Sequence, residues 1–164
     1  MKQNRENPFF ETYRTPFGTP PFDQIETEQY EPAFDEGIWQ LDEEVRAIAD
    51  NTELPTFENT IIALERSGKL LDKVISAFFN VLNAEADDEM MDISQRVSPK
   101  LSESSNNIYL NEQLFARVKS VYDRKDELHL PMEDARLLEK TFEAFCARGL
   151  SLIHISESTR PEPI

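Results

Sequence analysis

The chain has 164 residues, and 32 acidic against 17 basic side chains give it a formal net charge of −15 at pH 7. That charge repels nucleic-acid phosphates and anionic lipid headgroups, so we expect neither nucleic acid nor a membrane as a partner. A single cysteine cannot form an internal disulfide. No run approaches the roughly 18 consecutive apolar residues of a membrane span, and the first ten residues lack the apolar core of a secretory signal. We therefore expect a cytoplasmic protein.

Residues 1–26 predict an extended N-terminal strap. Four prolines between positions 8 and 21 oppose a helix, because proline lacks an amide donor and constrains the residue before it. Five aromatic residues are interleaved with them, namely Phe9, Phe10, Tyr13, Phe17 and Phe22. So many aromatic rings are unusual for a disordered tail. We expect them to lie in grooves between the helices that follow.

Residues 27–149 predict a helical region. From about Glu28 to Asp50 apolar residues recur every three or four positions, and Pro32 falls in the first turn, where proline is tolerated. Residues 56–83 carry the same periodicity in a broad apolar stripe, which predicts one continuous, central helix. Its N-cap is Thr56, and the short connection before it makes the two helices antiparallel neighbours. Gly68 weakens this helix, and we expect close approach of another helix to be the reason.

An acidic run at residues 87–89 begins the third predicted helix. Pro99 lies inside this helix and removes one backbone hydrogen bond, which predicts a bend or a break near Ser98.

Two more helices complete the prediction. Asn111 is the expected N-cap of a helix that ends at about Glu127, and Pro131 begins a helix that ends near Gly149. No segment alternates convincingly with a period of two. The predicted fold class is therefore all-α, a series of antiparallel helical hairpins preceded by the strap.

The two histidines do not have the spacing of a metallopeptidase zinc site. Such a site needs two histidines four residues apart with a glutamate beside the first, so that both imidazoles lie on one helix face next to the catalytic base. His129 and His154 are 25 positions apart. We interpret both as surface or loop residues, and we predict no catalytic, cofactor-binding or metal-ligating residue in this chain.

Two further groups also have structural explanations. The acidic cluster at residues 87–92 lacks the glycine and the alternating ligands of a calcium loop, and acids favour a helix N-terminus in any case. Cys146 falls within a helical pattern beside Phe145, without a local signature that brings a histidine to it. We therefore expect a packed thiol.

Several blocks of the sequence resemble the N-terminal region of bacterial peptidyl-dipeptidases, which belong to the thimet oligopeptidase family of zinc metallopeptidases. The blocks are NPF at 7–9, FDQI at 22–25, YEPAFDEG at 30–37, FENTIIALERSGKLL at 57–71, the phenylalanine pair at 78–79, NIYLNEQLFARV at 107–118 and RLLE at 136–139. The resemblance covers about residues 7–149.

The resemblance implies that these helices form part of the wall of a larger, channel-type helical metallopeptidase. In that family the zinc site, a His-Glu-x-x-His helix with a later glutamate, lies hundreds of residues downstream. Short peptides would be the substrate of the intact parent, zinc its cofactor, and the missing C-terminal catalytic domain the partner of this region in the same polypeptide. No catalytic residue carries over, because none of the family's catalytic motifs falls within this chain.

Residues 150–164 predict a non-native tail. The stretch LSLIHISESTR at 150–160 resembles the translated frame of a sequencing-library transposon adapter, which would have proline in place of Ser158. The family pattern also stops at this point. We therefore expect a truncated gene whose tail makes no packed contact with the helices.

Two functions remain open from the sequence. The first is an inactive N-terminal fragment of a zinc peptidyl-dipeptidase, an enzyme that releases dipeptides from the C-termini of oligopeptides. The second is a free-standing helical interaction module without catalysis. The aromatic strap and the foreign-looking tail favour the first.

Overall fold

All regular structure is helical in residues 7–84 and 87–148, the residues that the computed structural model describes. The helices are α1 (Tyr30–Ala49), α2 (Ala63–Arg66), α3 (Lys69–Ala84), α4 (Asp88–Tyr109), α5 (Glu112–Tyr122) and α6 (Met132–Ala147). A π-helical turn at Phe57–Ile62 leads directly into α2. No strand occurs within those two ranges, so the all-α prediction is confirmed.

The described residues divide into two compact units. The first unit combines the residues up to Glu43 with Gly68–Glu103, and the second combines Glu44–Ser67 with the residues from Ser104 onward. Helices α1 and α4 each contribute residues to both units. The predicted division into strap, helical region and tail remains a prediction, and the tail at 150–164 lies outside the described residues.

Helix α1 begins where its sequence predicts. A 3-10 turn at Thr27–Gln29 precedes it, and the Gln29 side chain accepts a hydrogen bond from the Glu26 backbone amide at 2.8 Å. This reciprocal capping box satisfies amide groups that the first turn leaves free. Pro32 lies in the first turn of α1, where its missing amide costs no helical hydrogen bond.

The prediction of one continuous helix over residues 56–83 is wrong. The Thr56 cap is confirmed, because its hydroxyl accepts from the Asn59 amide at 3.0 Å. The helix nevertheless ends at Arg66 and resumes at Lys69, because Gly68 adopts a left-handed φ of +74° that an α-helix cannot contain. The two halves belong to different units, so this segment is not a single central helix.

Helices α1 and α3 lie very close together in the first unit. A Cβ atom at Gly37 would lie 3.0 Å from the Leu71 Cα, and one at Gly68 would lie 3.1 Å from the Leu41 Cδ1. The expected close approach at Gly68 is therefore confirmed. The pairing of 37 with 71 and of 41 with 68 runs in opposite directions, so the two helices are antiparallel as predicted.

The core of the first unit is built on aromatic side chains. Tyr30 and Phe34 of α1 meet Phe78 of α3 edge-on, with ring centroids 5.1 and 5.2 Å apart. Phe9 of the strap lies 5.3 Å from the Tyr30 ring and is only 1% exposed. Met90, Ile93 and Val97 of α4 belong to the same buried cluster. Strap, α1, α3 and α4 thus share one hydrophobic core.

The strap differs from its prediction. It contains 3-10 turns at Pro8–Phe10 and Pro16–Gly18, so it is not extended throughout. Phe9 and Tyr13 pack against the core as expected. Phe17 does not, because its side chain is 102% exposed, and Phe10 and Phe22 are also exposed. The expectation that all five rings lie in grooves is therefore wrong.

Helices α5 and α6 form the core of the second unit. Leu114, Val118 and Val121 are fully buried on the inward face of α5, and Leu138 and Phe145 are buried on α6. The Tyr122 and Phe142 rings stack with centroids 4.0 Å apart. Phe57 and Ile61 of the π-helical turn are buried in the same unit.

The third and fourth predicted helices can be compared with the structure. Helix α4 continues past Pro99, from Asp88 to Tyr109, which excludes the break and leaves the bend near Ser98 a prediction. The Asn111 cap is confirmed, since its side chain accepts from the Leu114 amide at 2.9 Å, but α5 ends at Tyr122 rather than near Glu127. The residues that follow form turns in which His129 has a left-handed φ of 48°.

Candidate functional site

The described part of the chain does not bring metal-ligating side chains together. No group of three or more histidine, cysteine, aspartate or glutamate residues in residues 7–84 and 87–148 could hold a metal ion. His129 is exposed in the turn that precedes α6, and His154 lies outside the described residues. The donors in these ranges therefore do not fit the zinc site of the family that the sequence resembles.

The acidic residues near α4 have a structural role. Asp87 directly precedes the helix, and its Oδ1 accepts from the Met90 backbone amide at 2.8 Å. A carboxylate at this position satisfies a free amide and interacts favourably with the positive end of the helix dipole. Cys146, the free cysteine on α6, is half-buried.

Arg117 makes four side-chain hydrogen bonds within the described part of the second unit. It projects from α5, is 7% exposed, and donates from Nη1 to the backbone carbonyls of Asn51 at 2.6 Å and Glu53 at 3.0 Å. Its Nη2 donates to the Asn59 Oδ1 at 3.0 Å and to the Thr60 Oγ1 at 3.3 Å. The guanidinium thus joins α5 to the connection after α1 and to the π-helical turn.

Arg124 also bonds the connection between α1 and the π-helical turn, and we call these two arginine side chains the clamp. It lies seven residues after Arg117, and its Nη2 donates to the Pro55 carbonyl while its Nε donates to the Ser120 carbonyl at 3.1 Å. Arg124 lies in the turns just after α5, which ends at Tyr122. The two arginines therefore hold the polar connection 51–56 through its own carbonyl groups, an arrangement that fits a structural role.

The sequence contains one signal that could have identified Arg117. It lies three residues after Leu114 and four before Val121, so the helical period places it on the inward face of α5. Its acceptors come from positions 57 to 66 residues earlier in the chain, and no local pattern indicates them.

Lys73 holds the strap against the first unit. Its Nζ donates to the carbonyls of Phe9 at 2.8 Å and Glu11 at 2.6 Å, and it lies 3.7 Å from the centroid of the Tyr13 ring. The arrangement combines two charge-assisted hydrogen bonds with a cation–π contact. Burial lowers the pKa of Lys73.

Tyr13 has a buried hydroxyl group without a hydrogen-bond partner among the residues that the structure describes. Burial, with a smaller contribution from Tyr30, raises the pKa of Tyr13 to about 12. An open surface depression beside it is lined by Glu11, Arg14 and Gln24, among others. Its described lining contains one carboxylate and neither histidine nor cysteine, so it does not pair a nucleophile with a base.

Two curated proteins are similar to this chain. One is named dipeptidyl carboxypeptidase, from Escherichia coli, and is 44% identical over 146 residues, which cover 89% of this chain and 21% of that protein. The other carries the same name, comes from Salmonella typhimurium, and is 40% identical over 146 residues, which cover 22% of its length. No protein-family model matches the chain.

The chain spans about a fifth of the length of these dipeptidyl carboxypeptidases, while almost all of the chain takes part in the match. Similarity at this level over 146 residues supports a shared fold for the matched region.

Within the described ranges, no helix is long and apolar enough to cross a membrane.

Proposed function

We propose that residues 7–149 are the N-terminal helical region of a cytoplasmic zinc metallopeptidase of the thimet oligopeptidase family. The parent enzyme would be a peptidyl-dipeptidase that releases dipeptides from the C-termini of oligopeptides. The observation that carries the proposal is the 44% identity over 146 residues to a dipeptidyl carboxypeptidase more than four times as long as the match.

We further propose that the 164-residue chain is inactive by itself. Zinc in such a peptidase polarises the scissile carbonyl and lowers the pKa of its bound water, and a neighbouring glutamate accepts the proton. The two histidines of this chain are too far apart in sequence to lie on one helix face as that site requires. The metal ligands would come from the remainder of the parent polypeptide.

The tail belongs to the same proposal. We infer that residues 150–164 are translated adapter sequence and that the native frame continues differently after Gly149. This inference is supported by the adapter-like stretch at 150–160. Genomic DNA read through codon 149 tests it. An uninterrupted frame that later encodes a His-Glu-x-x-His helix is expected, and a genuine stop after codon 164 would favour the helical interaction module.

The activity is tested with two proteins and one blocked peptide substrate. The first protein is the 164-residue chain. The second is a chimera in which residues 7–149 replace the matched region of the Escherichia coli dipeptidyl carboxypeptidase. We expect no stoichiometric zinc and no turnover from the chain alone, and chelator-sensitive release of C-terminal dipeptides by the chimera.

Either of two results would contradict the proposal. Zinc-dependent turnover by the 164-residue chain would place a complete site within it. A folded but inactive chimera would show that these helices cannot replace their counterparts in the relative. The relative with its own N-terminal region serves as the positive control.

A further inference from the structure

The strap has an outer side that its contacts with the first unit do not explain. Phe9 is buried in the core, yet Phe17 is 102% exposed, and Phe10 and Phe22 are 54% and 48% exposed. Exposed phenylalanine rings leave apolar area in contact with water, and burial of that area against another surface would be favourable. Phe17 is the extreme case.

The backbone holds Phe17 in this exposed position. Its φ of 60° and ψ of 14° are left-handed, and Gly18 follows with a φ of 65°. A left-handed backbone is unfavourable for a bulky side chain, so glycine or asparagine would suit this turn better. The stability of the turn therefore does not explain a phenylalanine at position 17, whereas a contact made by its ring outside the turn would.

Hydrogen bonds keep the turn closed around this residue. The Thr15 hydroxyl donates to the Thr19 carbonyl, and the Thr19 hydroxyl donates to the Pro16 carbonyl at 3.1 Å. The Gly18 amide donates to the Thr15 carbonyl, also at 3.1 Å. The ring is thus presented on a preorganised turn, which reduces the entropy lost when it binds.

Charge favours a partner in the same polypeptide over a second copy of this chain. Two copies that each carry a net charge of −15 repel one another. Residues 7–24 themselves contain only three charged side chains, Glu11, Arg14 and Asp23. These 18 residues therefore carry a formal net charge of only −1, and a covalently linked partner needs no bimolecular encounter to cover them.

We propose that the Thr15–Thr19 turn is a docking element whose Phe17 ring enters an apolar pocket in the downstream part of the parent peptidase. The proposal rests on the proposed function, because this chain spans only 21% and 22% of its two relatives and most of such a polypeptide lies outside it. The ring supplies apolar area, and the turn supplies its orientation.

The first test measures the accessibility of position 17. Phe17→Cys is made in a Cys146→Ser background, in the 164-residue chain and in the chimera, and alkylation at position 17 is timed by mass spectrometry. Ser102→Cys, an exposed site on α4, is the control. We expect alkylation at position 17 to be at least about tenfold slower in the chimera than in the chain, and alkylation at position 102 to be equal in both.

The second test uses Phe17→Asn, which keeps the left-handed turn and removes the ring. In the 164-residue chain this change should leave the thermal midpoint unchanged or raise it. In the chimera the same change should lower the midpoint. A turn without a partner in the parent would respond in the same way in both proteins.

The outcomes separate the two proposals. A chimera that cleaves peptide while position 17 reacts as fast as in the isolated chain overturns the docking proposal and leaves the proposed function intact. Protection of position 17 in the isolated chain that grows with protein concentration also overturns it, because the occupant is then a second copy. A chimera that does not fold or does not cleave overturns the proposed function, and the docking proposal with it.

Discussion

Arg117 is a buried cation whose four hydrogen-bond acceptors are all uncharged. They are two backbone carbonyls, an amide oxygen and a hydroxyl, and the Nε has no partner among the described residues. A buried charge is tolerated only when polar groups replace its hydration. The guanidinium bonds these acceptors through two separate nitrogens, Nη1 and Nη2, whereas an ammonium group has only one nitrogen.

We expect Arg117→Lys to destabilise the chain by about 2–4 kcal/mol, because it keeps the charge but leaves buried acceptors without donors. Urea unfolding followed by circular dichroism measures the change. Arg136→Lys, at an exposed site on α6, is the matched control and should stay within about 0.5 kcal/mol. Equal free energies of unfolding for the two variants would mean that the hydrogen bonds of Arg117 do not stabilise the chain.

Tyr13→Phe should reveal the effect of the buried hydroxyl group through pH. The pKa of Tyr13 is raised from 10.0 to about 12, so the unfolded chain ionises first. The contribution of Tyr13 to the free energy of unfolding is therefore fully present below pH 10 and is lost as pH rises towards 12. Because the side chain is only half-buried, solvent screening limits this contribution to about 1 kcal/mol.

The measurement is the free energy of unfolding of both proteins between pH 8 and pH 12. We expect the variant to be as stable as the wild type or more stable at the lower end, and to lose less stability at the upper end. A slope will remain, since burial also raises the pKa of Tyr30. The lowered pKa of Lys73 acts in the opposite direction, favouring the folded state as pH approaches 10.5. Parallel curves would contradict the assignment to Tyr13.

At the scale of elements, the contact between α1 and α3 depends on missing side chains. Gly37 lies within α1, where alanine would ordinarily be about 1 kcal/mol better. Its missing Cβ allows the backbone of Leu71 to approach, with contacts of 3.0 and 3.1 Å to that absent atom. The backbone of Leu71 cannot move aside as a flexible side chain can. Packing therefore favours glycine at position 37, although helix propensity favours alanine.

We expect Gly37→Ala to destabilise the chain by about 1–3 kcal/mol, despite the better helix propensity of alanine. Ala47→Gly, at an exposed position of the same helix, measures the propensity difference by itself and should cost about 1 kcal/mol. Both substitutions therefore lower the urea midpoint, although they are chemically opposite. A gain in stability from Gly37→Ala would show that the helices separate easily.

At the scale of the whole molecule, the excess of acidic residues dominates the electrostatics. Ion pairs such as Arg96 with Glu31, at 3.0 Å, link α1 to α4 in the first unit. They are exposed to solvent and contribute little individually. A net charge of −15 opposes compact structure through repulsion between like charges.

Added salt should therefore stabilise the chain. Raising NaCl from about 0.02 M to about 0.5 M shortens the screening length well below the spacing of most surface charges, and we expect the thermal midpoint to rise by a few degrees. KCl at the same concentrations should have the same effect. A midpoint that falls as salt is added would mean that attractive pairs outweigh the repulsion.

The sequence alone determined the features that depend on neighbours along the chain. Periodicity identified α1 and the all-α class. Thr56 and Asn111 were identified as N-caps because an N-cap side chain accepts a hydrogen bond from the backbone amide three positions later. The blocks that resemble the peptidyl-dipeptidases are also contiguous runs of sequence. Such information is local, so a linear pattern contains it.

The tertiary structure decided everything that depends on residues far apart in the chain. Gly68 breaks a helix whose apolar stripe continues past it, because a left-handed φ and the contact with Leu41 outweigh the local pattern. Arg117 became a clamp only when acceptors 57 to 66 positions earlier folded onto it. Phe17 faces solvent while Phe9 is buried, although both are phenylalanines in one proline-rich strap. Burial and hydrogen-bond partners depend on which surfaces meet in three dimensions, and periodicity along the chain does not contain that information.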